Sequence, residues 1–155
     1  MSTLIHVSPT TPAVPEGIGD AVAVIESAEA QVRATLTETG GIHRSTVASV
    51  LEPSLRRSGF RVGSDATFGS TEIDFSAPSL LAALSIQAGR AATNNGGLLA
   101  TLAAASCEDV DWLVLLVPER YKNSATGDAV EKQLRNLAVA HGVRLDLQAV
   151  LLVRY

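Results

Sequence analysis

Cysteine is nearly absent from this sequence, because Cys107 is the single thiol among 155 residues. One cysteine excludes a disulfide within the chain and provides no pair of thiols at a metal-binding spacing. We therefore expect a reducing, cytoplasmic setting. The alanine-rich segment before Cys107 predicts that its thiol is buried and inert, since buried cysteines behave as small hydrophobic side chains.

Long hydrophobic runs and a strong excess of charge are also missing. No apolar stretch reaches the length that spans a bilayer, so we expect no membrane partner. Residues 1–17 contain neither a basic region nor an apolar core, so we expect no secretory signal. The net charge of −4 argues against a surface coated for nonspecific nucleic-acid binding, although it allows a local basic patch. The sequence contains no Ser-His-Asp set, no phosphate-binding loop and no dinucleotide-binding glycine pattern.

The length of the chain fits a single domain with a substantial core, which we place at residues 18–155. Residues 1–17 carry three prolines among serines and threonines. We predict that they form a mobile or extended N-terminal arm with one short strand at residues 4–7.

Apolar residues recur at helical or strand spacing along the rest of the chain. Four helices are predicted at residues 18–38, 43–58, 98–106 and 128–140. Pro53 is expected to kink the second helix or to start a new one. Strands are predicted at residues 60–63, 72–75, 80–87, 112–117 and 143–153. This order predicts an α/β fold in which helices flank both faces of a mixed β-sheet.

The stretch of residues 71–95 concentrates polar side chains at the ends of two neighbouring strands. Residues 72–75 alternate acidic and apolar, which is the period of a half-buried strand, and the proline in residues 77–79 ends it. A second apolar run ends at Gly89, and residues 93–95 are expected to cap the following helix. Polar groups at strand ends and a helix N-terminus can bind an ion or an anion.

Three short segments carry a resemblance to a known family: EIDF at residues 72–75, LSIQAGR at 84–90 and TNN at 93–95. With the order of elements, they resemble the PD-(D/E)xK, or restriction-endonuclease-like, superfamily, and most closely its BglII-type branch. In that branch a strand carrying Ile-Asp precedes a hairpin strand of pattern apolar-Glu-apolar-Gln, then Gly, a basic residue and a helix opened by polar residues. Residues 111–118 are similar to the family's next core strand, so the pattern covers roughly residues 43–153.

The resemblance implies a magnesium-dependent phosphodiesterase site that acts on DNA. A hard divalent ion takes oxygen ligands, polarises the scissile phosphate and helps to generate hydroxide. By this resemblance Asp74 is the metal carboxylate, Ile86 offers a backbone carbonyl to the metal, and Gln87 orients the attacking water.

Ser85 stands where the family has glutamate, so one of the two negative charges that hold the metal is missing. A neutral hydroxyl is a poor magnesium ligand, and we therefore expect impaired catalysis. Glu72 lies two residues before Asp74 on the same predicted strand face and could replace the lost acid. Glu26 or Glu29 of the first predicted helix could do so as well, as a first-helix acid does in some members of the superfamily.

A plainer interpretation is also open for each of these residues. Asp74 could be an ordinary polar residue on the exposed face of a strand. Ser85 and Gln87 could have a structural role alone.

Two loops supply the candidate nucleic-acid contacts. A guanidinium and a helix N-terminus favour phosphate, and an aromatic residue between two bases is a weak nucleic-acid pattern. Capping chemistry in the first loop and a solvated surface in the second are the alternatives. The candidates in the two loops are Arg90, Asn94, Asn95, Arg120 and Lys122.

Three classes of function follow. The first is an endonuclease-like domain that has lost most of its chemistry and binds nucleic acid or a protein partner. The second is an active nuclease that uses Mg²⁺ on Asp74 with a substitute glutamate. The third is an assembly protein, a homodimer for example, that pairs through an apolar surface around residues 147–153, since the chain is rich in alanine and poor in charge.

Overall fold

The structure, a computed structural model, describes residues 1–10, 12–37, 41–63, 72–89 and 91–155. Within these ranges six strands form one sheet and five α-helices cover it. The strands are β1 (Ser2–His6), β2 (Arg61–Val62), β3 (Phe75–Ala77), β4 (Ala82–Ile86), β5 (Trp112–Val117) and β6 (Ala149–Arg154). The helices are α1 (Glu16–Ser27), α2 (Glu29–Arg33), α3 (Arg44–Arg57), α4 (Gly96–Ala105) and α5 (Thr126–Ala138).

The strands follow the order β1-β6-β5-β4-β3-β2 across the sheet. The first part of the sheet is an antiparallel meander of β2, β3 and β4. From β4 the chain crosses through α4 to β5 and through α5 to β6, and these three strands are parallel. β1 pairs antiparallel with β6 at the other edge. The predicted α/β fold with a mixed sheet is therefore confirmed.

Alternating side chains of the central strands fill two apolar layers. Leu84 and Val114 lie on the face covered by α1, α2 and α3, where the apolar stripe of α1 also packs. Leu113 and Leu115 lie on the opposite face, which α4 and α5 cover. Every residue of β5 is buried, as expected for a parallel strand with helices on both sides. Helices on both faces of the sheet are confirmed as well.

The predicted helices at residues 18–38 and 43–58 differ from the observed ones in two details. The first helix is divided at Ala28 into α1 and α2, because the backbone of Ala28 leaves the helical conformation with φ −89° and ψ 1°. The second helix, α3, continues through Pro53 without a break. Pro53 and Ser49 are exposed, so water can bind the Ser49 carbonyl, which has no amide partner four residues on.

Two predicted strands are also placed differently. The strand predicted at residues 72–75 is observed at Phe75–Ala77, and a 3-10 turn at Pro78–Leu80 follows it. The strand predicted at residues 143–153 is limited to Ala149–Arg154, which is the length that β5 can pair. Residues 143–144 and 146 are exposed and lie outside the ladder.

Two further expectations concern the ends of the domain. The segment predicted as an arm contributes β1, so residues 2–6 belong to the sheet, and the strand predicted at residues 4–7 is present with shifted bounds. The expectation of an exposed apolar surface around residues 147–153 is wrong, because β6 is paired on both sides and its apolar side chains are buried in the core. In the described ranges no helix has the length and hydropathy to cross a bilayer.

Candidate functional site

The sequence candidates gather at one edge of the sheet, where the parallel strands end. β4, β5 and β6 run in the same direction, so Ile86, Val117 and Arg154 lie at the same edge. Asp74 precedes β3, which is antiparallel to β4, and its backbone amide donates to the Leu84 carbonyl at 2.9 Å. We call this side of the sheet the carboxyl edge. Edges of this kind are common ligand-binding positions in α/β proteins.

Asp74 is held by Arg44 from the first turn of α3. The guanidinium donates two hydrogen bonds, from Nε to Oδ1 at 2.7 Å and from Nη2 to Oδ2 at 2.9 Å. The backbone amide of Ile86 donates a third, to Oδ2 at 2.6 Å. The Asp74 side chain is 15% exposed and that of Arg44 is 29% exposed. The interpretation of Asp74 as an ordinary residue on an exposed strand face is therefore wrong.

Burial raises the pKa of the Asp74 carboxyl above its ordinary value. The hydrogen bonds from Arg44 and Ile86 lower it, and the charge of Glu72 raises it further, so the ion pair offsets only part of the cost of desolvation. Charge-assisted bidentate pairs of this kind fix the geometry of both side chains.

Arg44 is not among the residues that the sequence motifs single out, although its position in the sequence carries a signal. A cation in the first turn of a helix opposes the helix dipole, and the first turn of α3 contains no acidic residue to balance it. Because this position is unfavourable for a cation within the helix, it indicates that the arginine binds a partner elsewhere in the chain. Here that partner is a carboxylate thirty positions later in the sequence.

Ser85 and Gln87 form a buried hydrogen-bond chain on the face covered by α4 and α5. Gln87 Nε2 donates to Ser85 Oγ at 2.8 Å and to Glu72 Oε2 at 3.4 Å. Its Oε1 lies against Gly96, the first residue of α4, where any Cβ would collide with it. The structure thus brings Glu72, Ser85 and Gln87 together and leaves the Gln87 amide enclosed.

The fit of this cluster to Mg²⁺ is poor. In the described part of the chain no three His, Cys, Asp or Glu side chains lie close enough together to hold a metal ion. Asp74, the expected carboxylate ligand, already accepts three hydrogen bonds. Ser85 is fully buried beside the Gln87 amide. An octahedral cation that needs several accessible oxygen atoms does not suit these donors.

The substitute acids of the first predicted helix do not reach Asp74. Glu26 lies 3.7 Å from the amino group of Met1, beside the edge strand β1, which is the strand most distant from β2 and β3. Glu29 is paired with Arg33 at 2.7 Å within α2. Glu72 is the one proposed substitute that lies near Asp74.

The loops that follow β4 and β5 meet at the carboxyl edge. The ring of Tyr121 lies against Gly89 so closely that a Cβ at this position would enter the ring. Arg120 and Lys122, on either side of Tyr121, are both exposed, and Lys122 Nζ is 5.5 Å from the centre of the Tyr121 ring.

The loop before α4 presents two amides to solvent. Asn94 and Asn95 are exposed. Asn95 occupies the N-cap position with φ 55°, and its side chain makes no capping hydrogen bond. Arg90, the remaining candidate for phosphate, lies outside the described residues.

A cavity of about 210 Å³ lies beside the second of these loops. Its lining includes Leu36 and Pro118 and the cationic residues Arg33 and Arg120. The carboxyl edge therefore carries exposed cations on α2 and on the Tyr121 loop.

A second arginine, Arg154, forms ion pairs at the carboxyl edge. The Arg154 side chain is 8% exposed and pairs with Asp128 at 2.7 Å, with Glu119 at 3.4 Å and with Glu131. These partners raise the pKa of the guanidinium, while burial opposes them. Tyr155 OH donates a hydrogen bond of 2.9 Å to the Gln87 carbonyl, so the end of β6 supports the end of β4.

Cys107 is less buried than predicted. Its side chain is of intermediate exposure, and Sγ donates to the Ala103 carbonyl at 3.2 Å. Burial, with a smaller effect of Asp109, raises the pKa of the thiol, which disfavours the reactive thiolate.

Comparison of the chain with models of protein families, with curated proteins and with solved structures found no match.

Proposed function

We propose that this chain is a restriction-endonuclease-like domain with impaired catalysis that binds DNA at its carboxyl edge. The single observation that carries the proposal is the contact between Gly89 and the Tyr121 ring. This contact joins the loop before α4 to the Tyr121 loop, which are the two loops that contain the predicted nucleic-acid contacts. Both loops therefore lie near Gln87.

The order of elements supports the endonuclease-like part of the proposal. The hairpin of β3 and β4 is followed by a polar loop, a helix and a parallel apolar strand, β5. This is the order that the resemblance implies, with Asp74 at the start of one hairpin strand and Gln87 just after the other.

The distribution of charge supports DNA as the ligand. Arg120 and Lys122 are exposed and flank an aromatic ring, and two exposed asparagines lie in the adjoining loop. Lysine and arginine bind backbone phosphates, and asparagine amides donate to them. The net charge of −4 concerns the chain as a whole and does not prevent a local basic patch.

The contacts of Asp74 support the loss of catalysis. A metal carboxylate must be free to bind its ion, and this one is occupied by Arg44 and the Ile86 amide. We therefore expect DNA to be bound in EDTA and not to be cut in Mg²⁺ or Mn²⁺.

Fluorescence anisotropy with labelled duplex and single-stranded DNA, in EDTA and over a series of salt concentrations, tests this proposal. The double variant Arg120→Ala, Lys122→Ala should weaken binding. It should also reduce the slope of log affinity against log salt by about 0.9 for each DNA phosphate that the protein no longer neutralises.

The matched control removes two cations at the far end of α3 from Arg44, as Arg56→Ala, Arg57→Ala. It should leave affinity and salt slope unchanged. Absence of DNA binding at low salt, or equal effects of the two double variants, would contradict the proposal.

Two other functions have specific observations in their favour. Glu72 lies close enough to Asp74 to raise its pKa, which favours residual metal binding by the two acids in an active nuclease. Cleavage in Mg²⁺ that is lost in Asp74→Ala would establish that function. Leu99 and Leu102 are about half exposed on α4, which favours self-association. Light scattering that finds a stable oligomer indifferent to DNA, and a monomer in Leu99→Lys, would establish an assembly role.

A further inference from the structure

The charge balance around Asp74 suggests why the expected cation site is closed. The Asp74 side chain is 15% exposed, so its carboxylate needs a positive charge close by, and a divalent cation bound to its oxygen atoms would be one way to supply it. The chain instead supplies a guanidinium whose fork matches both oxygens of the Asp74 carboxylate. Arg44 also links α3 to the start of β3, which a metal ion bound only to the hairpin would not do.

We infer that Arg44 takes the place of a divalent cation at Asp74, so that the hairpin is held together without metal and becomes metal-responsive when Arg44 is removed. Arg44 is thus a positioning residue, because it acts through the Asp74 carboxylate. The inference deepens the proposed function, since it gives the reason for impaired catalysis. It can fail while DNA binding stands, because its test contains no DNA.

Arg44 and a divalent cation cannot bind the Asp74 carboxylate at the same time. The three hydrogen bonds to Asp74 come from Arg44 Nε, Arg44 Nη2 and the Ile86 amide, and together they use both carboxylate oxygens. A cation would have to displace a bidentate partner that is itself tethered in α3. Such a partner is present at a high effective concentration, whereas the ion must come from solution.

The first experiment compares the native protein with Arg44→Gln by thermal unfolding in EDTA and in about 10 mM Mg²⁺ or Mn²⁺. The native protein should respond to neither ion. Arg44→Gln should be less stable in EDTA and regain stability in the divalent salt. For a weak oxygen site with a Kd on the order of 1 mM, that salt raises the ratio of folded to unfolded protein about 11-fold.

Three variants separate replacement of a cation from a general loss of stability. Arg56→Gln removes an exposed arginine that pairs with Glu52 on the same helix, and it should not create any response to ions. Adding Asp74→Asn to Arg44→Gln should abolish the response. Arg44→Lys keeps a positive charge and should remain unresponsive, although it loses the bidentate geometry.

Calorimetric titration of the folded variants with Mn²⁺ provides the second measurement. Heat of binding in Arg44→Gln, absent from the native protein and from the double variant, is the expected result. Divalent binding by the native protein that depends on Asp74 would overturn the inference. So would a folded Arg44→Gln that gains no ion response, or an Arg44→Gln that stays unfolded at every ion concentration while Arg44→Lys folds.

Discussion

The hydroxyl of Tyr155 connects the ends of β6 and β4, and its removal is a sharp test of the carboxyl edge. Tyr155 is 6% exposed, and its OH donates a hydrogen bond of 2.9 Å to the Gln87 carbonyl. Tyr155→Phe keeps the ring and leaves a buried carbonyl without this donor. The expected loss is about 1–2 kcal/mol in the free energy of unfolding. For a domain of this size that loss lowers Tm by about 2–8 °C.

The same variant has a signature at alkaline pH. Burial raises the pKa of the Tyr155 hydroxyl above its ordinary value of 10.0, so the unfolded chain loses this proton at a lower pH than the native protein. The stabilisation is fully present below pH 10 and declines as pH rises further. By about pH 11 the native protein has lost roughly 1.4 kcal/mol through this group, whereas Tyr155→Phe has lost none. The difference in stability between the two proteins should therefore narrow.

Urea unfolding followed by circular dichroism at about pH 8 and about pH 11 measures both effects. Tyr121→Phe is the control, because the hydrogen bonds between Tyr121 and Ser124 are made by the backbone, and it should change stability by less than about 0.5 kcal/mol. A native-level stability of Tyr155→Phe at the lower pH would refute a stabilising role of this hydrogen bond. A difference from the native protein that stays constant between the two pH values refutes the buried-hydroxyl part.

Two further variants test the site directly. Gly89→Ala should push the Tyr121 ring aside and weaken DNA binding in the anisotropy assay, whereas Gly19→Ala, where a Cβ meets nothing within 4 Å, should bind as the native protein does. Equal affinity of all three proteins would count against the joined loops. Asp74→Asn should destabilise the protein at neutral pH, because both carboxylate oxygens accept hydrogen bonds from Arg44 and Ile86 and the amide nitrogen of asparagine cannot accept one. The raised native pKa of the Asp74 carboxyl makes the free energy of unfolding decline as pH rises above 3.8, where the unfolded chain loses this proton first. Asp74→Asn should lack this decline, and urea unfolding across acidic pH measures it. An unchanged acid profile would contradict that assignment.

The bounds of a helix or strand can be predicted from the sequence where the residues of that element alone determine them. Residues 112–117 are apolar without interruption and end at Pro118, and β5 has those bounds. Helical spacing located α4 and α5 to within two residues. The limits of β6 depend on a neighbour instead: residues 143–148 have strand-like residues, but β5 offers partners only from Ala149 onward. Pairing length is a property of the sheet, and the sequence of one strand does not contain it.

The candidate site was predictable only in part for a related reason. Hairpin spacing predicts that Asp74, Ser85 and Gln87 lie near one another, and the structure places Asp74 against the Ile86 amide and Gln87 against Ser85. Arg44 and Tyr155 reach the same place from α3 and from the end of β6. Contacts between positions so far apart in the sequence arise when the helices pack on the sheet. The spacing of residues within one helix or strand does not predict them. A cation at a helix start was the one available signal for Arg44.

The neutral side chain at position 85 and the pairing of Asp74 with Arg44 are two parts of one charge balance. Ser85 is fully buried, so a carboxylate at this position would need a cation to compensate its desolvation. A serine there gives the Gln87 amide a neutral acceptor instead. Arg44 then balances Asp74 alone. A glutamate introduced at position 85 would add a second acid without freeing Asp74 from Arg44, so it should create no response to divalent ions unless Arg44 is removed as well.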